Sequence, residues 1–555
     1  MTLPMTRRLL LPLAALLVGG AAGCVDLKET PISGITSSFY STPSGFEAAV
    51  NSMYTPARTH WPLERGATMT VFGTDEFTNG ADGSYKFFNT YSAQLNGDVD
   101  FLRDTWRDFY QGINTANTVI DAAATVNLPD AQKSLRVGEA KFLRALYFFT
   151  LVRTYGAIPL PLTPTTGVVT ETTREPVAKV YEQIIKDCQD AIAALPDKAA
   201  QFGRADRPAA QYLLGEVYLT RAGGDGTQDP LPPSPDFALA AEQLQAVVDN
   251  PRFGLLAQYK DNFDIQNEGN KEVVWAIQFT NDPLTTGDGN KLHLYFTAAY
   301  DLEPGMLRDI ANDRPFRRFK PTPWQLGYAG FPGIWDKTKD ARYEQMYKVV
   351  WISNNPNNIP KDASGNPKYN VGDTAVYMPG VDYTAAQKAA VRYKIYGPSD
   401  YTDAMFPTLN KYLDPTRTST NQEPGQRDLV LFRLDNAILM LAEAYWRDGR
   451  SDLAVPLINR VRERAAKPGM TAAMDITIAD LDAGGINFIL DERARELTGE
   501  TTRWFDLKRT GKLIERVQLY NAEARNNIKP FHLLRPIPNA EILLSTGNMK
   551  QNPGY

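Results

Sequence analysis

Two neighbouring stretches, AAQYLLGEVYLTR (residues 209–221) and FALAAEQLQAVVDN (residues 237–250), carry the clearest fold signal in the chain. Apolar residues recur in both at spacings of three and four, which indicates two amphipathic helices. Gly215 and the alanines of the second stretch allow the helices to lie close together, and Tyr218 can fill the remaining gap. This pattern predicts a helical hairpin of the tetratricopeptide type.

The same pattern returns much later in the chain. LDNAILMLAEAYWRDGR (434–450) precedes DLAVPLINRVRERA (452–465), with Ala442 and Tyr445 in the equivalent positions. Two such hairpins so far apart predict a helical scaffold that an insertion interrupts. Helical periodicity also predicts helices at 46–58, 105–123, 134–156, 176–194, 207–222, 236–249, 428–448, 452–466, 486–499 and 538–545.

The predicted insertion spans residues 281–425. EVVWAIQFT (272–280) reads as a β-strand leading into it. Within residues 291–351, 12 of 61 positions are aromatic, and helical periodicity is weak. An irregular, aromatic-rich segment on a helical frame is where a binding surface is expected. The fold class is therefore mostly α, a tetratricopeptide-like scaffold at 41–280 and 426–555 with an irregular, minor-β ligand-binding region.

The N-terminus has the features of an export signal. Arg7 and Arg8 precede an apolar run that reaches Val18, and small residues lead to Cys24. This predicts a signal peptide at 1–23 and a lipid-anchored tether at 24–40, with acyl chains on Cys24. Ala21 stands where a lipoprotein box prefers leucine, so an ordinary secretion signal is the alternative. No later stretch reaches 18 apolar residues, so no membrane-spanning segment is expected.

The charge balance narrows the class of partner. The formal net charge is −5, and removing residues 1–23 leaves 57 basic and 64 acidic residues, or −7. A mildly acidic body lacks the basic surface that nucleic acids require, so no nucleic-acid partner is expected. Cys188 lies in a helical pattern and is expected to pack as a small apolar side chain.

No motif in the sequence indicates catalysis, a metal or a cofactor, and none is expected. The three histidines are scattered, and no zinc, nucleophile-elbow or phosphate-loop pattern occurs. Glu492, Glu496 and Glu500 share one helical face with arginines interleaved. They could supply an acid and a base, but carboxylates matched by guanidinium groups stay ionised, which favours a structural ion-pair network.

Two groups of aromatic and acidic residues are candidates for ligand binding. One lies in the Gly/Asp-rich loop around residues 75–91 and the other in the insertion. Flat rings stack on sugars or grip peptide side chains, and neighbouring carboxylates bind hydroxyls or amides. Packing in a local core is the alternative for each ring, and it is the expected role of Trp106 and Trp504. The candidates are Asp75, Glu76, Tyr85, Phe87, Tyr300, Trp324 and Trp335.

Several motifs, in order, resemble a known family. They are EAKFLRALYFFTLVRTYGAIPLP (139–161), GNKEVVWAIQF (269–279), DKTKDARYEQMYK (336–348), ILDERARELTGETTRWFDLKRTGK (489–512) and IPNAEILLSTGNMKQNPGY (537–555), together with the helix pair at 434–465. In this order and over nearly the whole chain, they are similar to the SusD/RagB family of nutrient-binding outer-membrane lipoproteins.

This resemblance implies a scaffold of four tetratricopeptide-like helix pairs that carries an irregular ligand-binding region. It also implies a SusC-like TonB-dependent transporter as partner, a lipid anchor in the outer membrane with the body facing outward, and no catalysis. The ligand would be a glycan, with peptide as the alternative. An exported hydrolase using Asp75 and Glu76, or an assembly scaffold without a small ligand, are further alternatives.

Overall fold

The structure, a computed structural model, describes residues 37–555 except residues 225, 229, 230, 283 and 548. The predicted signal peptide, Cys24 and most of the predicted tether lie outside the described residues.

The described part of the chain is mostly helical, as predicted. Its helices of eight or more residues are α1 (Pro43–Ser52), α2 (Asp100–Ala122), α3 (Asp130–Tyr155), α4 (Val177–Ala194), α5 (Arg207–Ala222), α6 (Asp236–Val248), α7 (Leu434–Arg447), α8 (Ser451–Arg464), α9 (Ile478–Leu497) and α10 (Leu513–Tyr520). Its shorter helices are Ser37–Tyr40, Thr55–His60, Glu64–Thr70, Phe87–Thr90, Leu292–Tyr295, Pro323–Leu326, Arg342–Met346, Ala385–Ala389, Thr471–Met474, Arg503–Arg509 and Asn539–Leu544. Its 3₁₀ turns are Tyr259–Phe263, Tyr300–Leu302, Pro398–Asp400, Asn410–Tyr412 and Pro530–Leu533.

Helices α2 to α8 form a continuous array in which each helix packs against the next. The close approach of α5 and α6 depends on Gly215, since a Cβ there would lie 2.5 Å from Cγ of Leu244. Helix α6 packs on α7, so the array continues across the insertion. The helix pairing is therefore as expected, and its tetratricopeptide-like description stays a prediction.

Local signals explain where these helices begin and end. The Asp206 side chain accepts a hydrogen bond from the Ala209 N–H, and Pro208 occupies the first turn, so α5 begins where a cap and a proline favour it. Helix α3 ends at Gly156, whose φ of +77° is accessible to glycine at little cost. The helix predicted at 134–156 therefore ends where expected.

Two helix predictions need correction. Residues 46–58 form two helices rather than one, because Met53 and Tyr54 make a turn before Thr55–His60. The start of the predicted helix at 428–448 is instead the strand Leu429–Arg433, because this β-favouring LVLFR stretch pairs with another strand. Helix α9 begins at Ile478 but breaks at Gly485, where φ is +55°, so its second part starts directly after this glycine, as predicted for 486–499.

The strands in the described part of the chain are few and short. They are β1 (Phe77–Asn79), β2 (Val273–Ile277), β3 (Phe319–Pro321), β4 (Tyr347–Lys348), β5 (Val350–Ile352), β6 (Thr374–Tyr377), β7 (Lys394–Ile395), β8 (Thr408–Leu409) and β9 (Leu429–Arg433). The β2 prediction is confirmed, and all five of its residues are buried.

Strand pairing fixes the irregular region to the scaffold. Strand β2, just before it, pairs antiparallel with β9, just after it, so the ends of the intervening chain meet. Strand β3 from within the region pairs with β1 of the N-terminal part. A separate small core, which includes Tyr300, Trp351 and Phe406, supports the rest of the region. The boundaries 41–280, 281–425 and 426–555 stay predictions.

No helix among the described residues is both long and apolar enough to cross a bilayer.

Candidate functional site

An open cleft of about 700 Å³ lies where the N-terminal helices meet the loop before Phe87 and the start of the irregular region. One wall is α2. The opposite wall comes from the end of α1 and the helices Thr55–His60 and Glu64–Thr70. Tyr85 and Tyr295 contribute aromatic surface. We call this site the α2 cleft.

One face of α2 provides a row of polar and aromatic side chains. The residues are spaced three and four apart, so they project from the same side of the helix. The opposite face, including Trp106 and Phe109, packs in the core, and this amphipathic pattern fixes which side faces the cleft. The residues of the row are Phe101, Asp104, Asp108, Gln111 and Thr115.

Tyr85 and Phe101 form the aromatic edge of the cleft. Their rings stack with centroids 3.7 Å apart and planes 17° from parallel. The Tyr85 hydroxyl donates to Asp100 Oδ2 at 2.9 Å, which holds the ring in place. Burial and the Asp100 carboxylate raise the pKa of Tyr85 to about 12, so its hydroxyl stays protonated at neutral pH. Phe87 lies beside Tyr85, with ring centroids 5.9 Å apart.

The charged groups of the cleft form a fixed network around Asp108. Arg65 pairs with Asp108, Arg107 approaches it at 2.9 Å, and the Thr59 hydroxyl donates to it at 3.2 Å. Burial alone would raise the pKa of Asp108, but both guanidinium groups more than offset this and lower it. Arg107 also pairs with Asp104 at 3.0 Å. Ionised, paired side chains can bind hydroxyl or amide groups but are poorly suited to proton transfer.

Asp75 and Glu76 lie in the protein interior. Asp75 accepts from Arg503 at 2.6 and 2.7 Å and from Arg516 at 2.6 Å. Burial opposes ionisation, but these two guanidinium groups lower the pKa of Asp75. The Gly499 N–H donates to Glu76 at 3.1 Å, and burial raises the pKa of Glu76 to about 8. Both carboxyl groups therefore accept hydrogen bonds from other groups in the protein interior.

The three candidates in the irregular region are also buried. Tyr300 stacks on Trp351 at 4.5 Å, and its hydroxyl donates to the Asp313 carbonyl at 2.7 Å. Trp324 stacks on Tyr520 at 4.8 Å. Trp335 meets Tyr347 edge to face at 5.8 Å.

Of the seven predicted residues, Tyr85 lines the cleft, and Phe87 packs beside Tyr85 without lining it. The structure places the other five away from the cleft, inside the core, and the assignment of all seven as ligand contacts stays a prediction. The row on α2 is not predicted from the sequence, because only Trp106 on this helix is considered there and it is assigned to packing in the core. The signal that could have revealed it is the polar and aromatic spacing from Phe101 to Thr115, opposite the apolar face.

Other expectations about packing are confirmed. Cys188, Trp106 and Trp504 are buried, as predicted. Glu492 and Glu496 lie in a buried ion-pair network, in which Arg342 approaches them at 2.7 and 3.0 Å. Although burial acts in the opposite direction, the surrounding arginines lower the pKa of both carboxyls. Their role is structural.

The sequence comparison settles the family. The family model described as "SusD family" matches residues 271–555, just over half of the chain. The chain belongs to the SusD/RagB family. A second model, described as "Starch-binding associating with outer membrane", matches residues 35–219.

Similar proteins extend this relationship over the whole chain. SusD-like protein P2 of Formosa agariphila is 27% identical over 554 residues, covering 96% of this chain and 97% of its own length. Starch-binding protein SusD of Bacteroides thetaiotaomicron is 22% identical, covering 78% of this chain and 75% of its own length.

Solved structures are similar in fold. A laminarin-binding SusD-like protein aligns with a TM-score of 0.66 and 23% identity, covering 93% of this chain and 100% of that one. NanU of B. fragilis aligns with a TM-score of 0.68 and 20% identity, covering 95% and 99%. At these identities the structural likeness establishes the shared fold.

Proposed function

We propose that this SusD-family protein binds a glycan in the α2 cleft and delivers it to a SusC-like TonB-dependent transporter. The observation that carries the glycan assignment is the stacked Tyr85–Phe101 edge, which continues along α2 into a row of hydrogen-bonding side chains on the same helix face. Aromatic faces bind the apolar faces of sugar rings, and charged and amide groups bind sugar hydroxyls.

The names of related proteins support this class of ligand. One structurally similar protein is named for laminarin binding, and one sequence relative for starch binding. Binding without turnover fits the cleft, since Asp108 is held ionised by Arg65 and Arg107. A peptide ligand is the second candidate, because the same carboxylates and guanidinium groups could bind peptide amides.

The test is calorimetric titration with a defined panel. It contains oligosaccharides of two and eight sugars prepared from laminarin, starch, xylan and mannan, and a tryptic peptide digest. We expect the wild-type protein to bind at least one octasaccharide reversibly, with no cleavage products. Binding of the digest alone would replace the glycan assignment with peptide, and binding of neither would overturn the proposal.

Arg107→Ala tests the location. The Arg107 side chain is 52% exposed at the cleft, so its loss should remove hydrogen bonds to the sugar and weaken binding by about 5- to 10-fold. The matched control is Arg103→Ala, since Arg103 is 48% exposed and pairs with Asp104 but does not line the cleft. Equal affinities for the two variants would place the glycan elsewhere.

The proposal includes the predicted lipid anchor and outward orientation. The family description of outer-membrane association and the Cys24 motif support them. In the native bacterium, Cys24→Ser should move the protein from the outer-membrane fraction to the soluble fraction, while the wild-type protein co-purifies with a TonB-dependent barrel. Retention of the serine variant in the membrane after high-salt and carbonate washes would contradict lipidation at Cys24.

A further inference from the structure

A second pocket, of about 290 Å³, lies on the other side of the chain segment that borders the α2 cleft. Ser52, Thr55 and Thr59 face the cleft, whereas Asn51, Tyr54 and Arg58 line the second pocket. The far wall of the pocket is the loop 201–204 together with the end of β2. We call this site the Phe202 pocket.

Phe202 presents an aromatic ring to solvent at the edge of this pocket. The residue is 45% exposed, which is unusual for a ring of this size. One edge of the ring packs near Gly269, since a Cβ added at this glycine would lie 3.9 Å from ring carbon Cε2. A ring supported on one side and accessible on the other is suited to stacking on a flat apolar surface.

The loop that carries Phe202 is held in a defined position. The Trp275 indole N–H donates to the Gly203 carbonyl at 3.0 Å, which ties the loop to β2. Gly203 has a φ of +86°, and a Cβ there would lie 2.5 Å from Gln278 Oε1. Only glycine therefore allows the loop to adopt this conformation with Gln278 packed against it.

Polar groups around the ring are oriented to donate hydrogen bonds. Arg204 Nε donates to Gln201 Oε1 at 2.8 Å, and Arg204 Nη2 donates to Asn51 Oδ1 at 2.6 Å. Because both amide oxygens accept from Arg204, the amide NH₂ groups are left to donate. Arg58 Nε, also at this pocket, is buried and has no hydrogen-bond partner among the described residues.

We infer that the Phe202 pocket is a second carbohydrate subsite, which binds the same glycan chain as the α2 cleft. This inference rests on the proposed function that the protein binds glycans. An exposed ring surrounded by amide and guanidinium donors suits a neutral, hydroxyl-rich ligand, whose oxygens accept hydrogen bonds while a sugar face covers the ring.

The geometry allows one chain to occupy both sites. The two pockets are separated by a single helical segment, whose width is about 10–12 Å with side chains. Asn51, Ser52 and Thr55 on this segment are exposed, so the path between the pockets is open to solvent. A long glycan that has bound in the cleft then meets the second subsite at high effective concentration. Affinity should therefore increase with chain length.

The test uses Phe202→Ala with the same laminarin, starch, xylan and mannan oligosaccharides. For the sugar that binds, we expect the variant to raise the Kd of the octasaccharide about 5- to 10-fold and to leave the Kd of the disaccharide unchanged. Phe39→Ala is the matched control, because Phe39 is 39% exposed and does not line either pocket. It should match the wild-type protein at both lengths.

The outcomes separate this inference from the proposed function. An unchanged octasaccharide Kd for Phe202→Ala, with binding weakened in Arg107→Ala, would overturn the second subsite alone. Weakened binding in Phe202→Ala but not in Arg107→Ala would overturn the cleft assignment and the shared chain, and would leave the Phe202 pocket as a glycan site on its own. Absence of binding to every oligosaccharide would overturn both.

Discussion

At the scale of single residues, Asp75 and Glu76 show how environment decides the role of a carboxyl group. The two are adjacent in sequence and both are buried. Asp75 has two arginine partners, which lower its pKa against the effect of burial. For Glu76 burial prevails, and its pKa is raised to about 8. Both were predicted as ligand contacts because the sequence shows that they are acidic. It does not show that Arg503 and Arg516 contact Asp75.

The raised pKa of Glu76 predicts a pH dependence of stability. The folded protein binds this proton more tightly than the unfolded chain, whose glutamates titrate near 4.3. The stabilisation from this group is therefore fully present below that pH and is lost as the pH rises towards about 8. Glu76→Gln cannot ionise, so its free energy of unfolding should fall less than that of the wild-type protein between pH 5 and 8.

Urea unfolding at pH 5, 6, 7 and 8 measures this difference. Glu182→Gln, at an exposed position on α4, is the control and should retain the wild-type pH dependence. Identical pH dependence in Glu76→Gln and the wild-type protein would show that Glu76 is already ionised in the folded state at pH 5.

At the scale of elements, most helices follow from the sequence because their signals are local. The 3.6-residue periodicity, the Asp206 cap and the Gly156 stop all act within a few residues. Strand β9 did not follow, because LVLFR becomes a strand only by pairing with β2, about 150 residues earlier in the chain. The pairing is a tertiary effect, and periodicity over a short window cannot detect it.

The aromatic residues of the insertion illustrate the same limit. The composition of the insertion shows that it is rich in aromatic rings, but it does not show which rings are buried by the rest of the protein. Trp324 lies on the short helix Pro323–Leu326, where it stacks on Tyr520 of α10, and the Arg516 guanidinium lies 4.8 Å from its ring centroid. These partners come from a helix almost 200 residues later. Packing within a core had been the alternative for each ring, and it describes the observed position of Trp324.

At the scale of the whole molecule, the sequence predicted the helical frame and the family but not the location of the cleft. The α2 cleft is assembled from four parts of the chain, at 52–65, 85, 101–115 and 288–295. Each part looks ordinary alone, and only the array of α2 to α8 and the anchored insertion bring them together. Tyr85 could be predicted because an aromatic residue in a Gly/Asp-rich loop is distinct from its sequence context. Asp108 and Gln111 could not, because they resemble the polar face of any surface helix.

The most direct measurement of the central claim compares Tyr85→Ala with Trp324→Ala in glycan affinity and in stability. Tyr85→Ala should weaken octasaccharide binding about 10-fold, since it removes the stacking edge of the cleft, with a smaller loss of unfolding free energy than Trp324→Ala because the Tyr85 ring is only partly buried. Trp324→Ala should lower the unfolding free energy by about 3–5 kcal/mol, because it removes a buried ring, while the folded protein keeps wild-type affinity. Wild-type affinity in Tyr85→Ala, together with weakened binding by a stably folded Trp324→Ala, would contradict the α2 cleft as the glycan site.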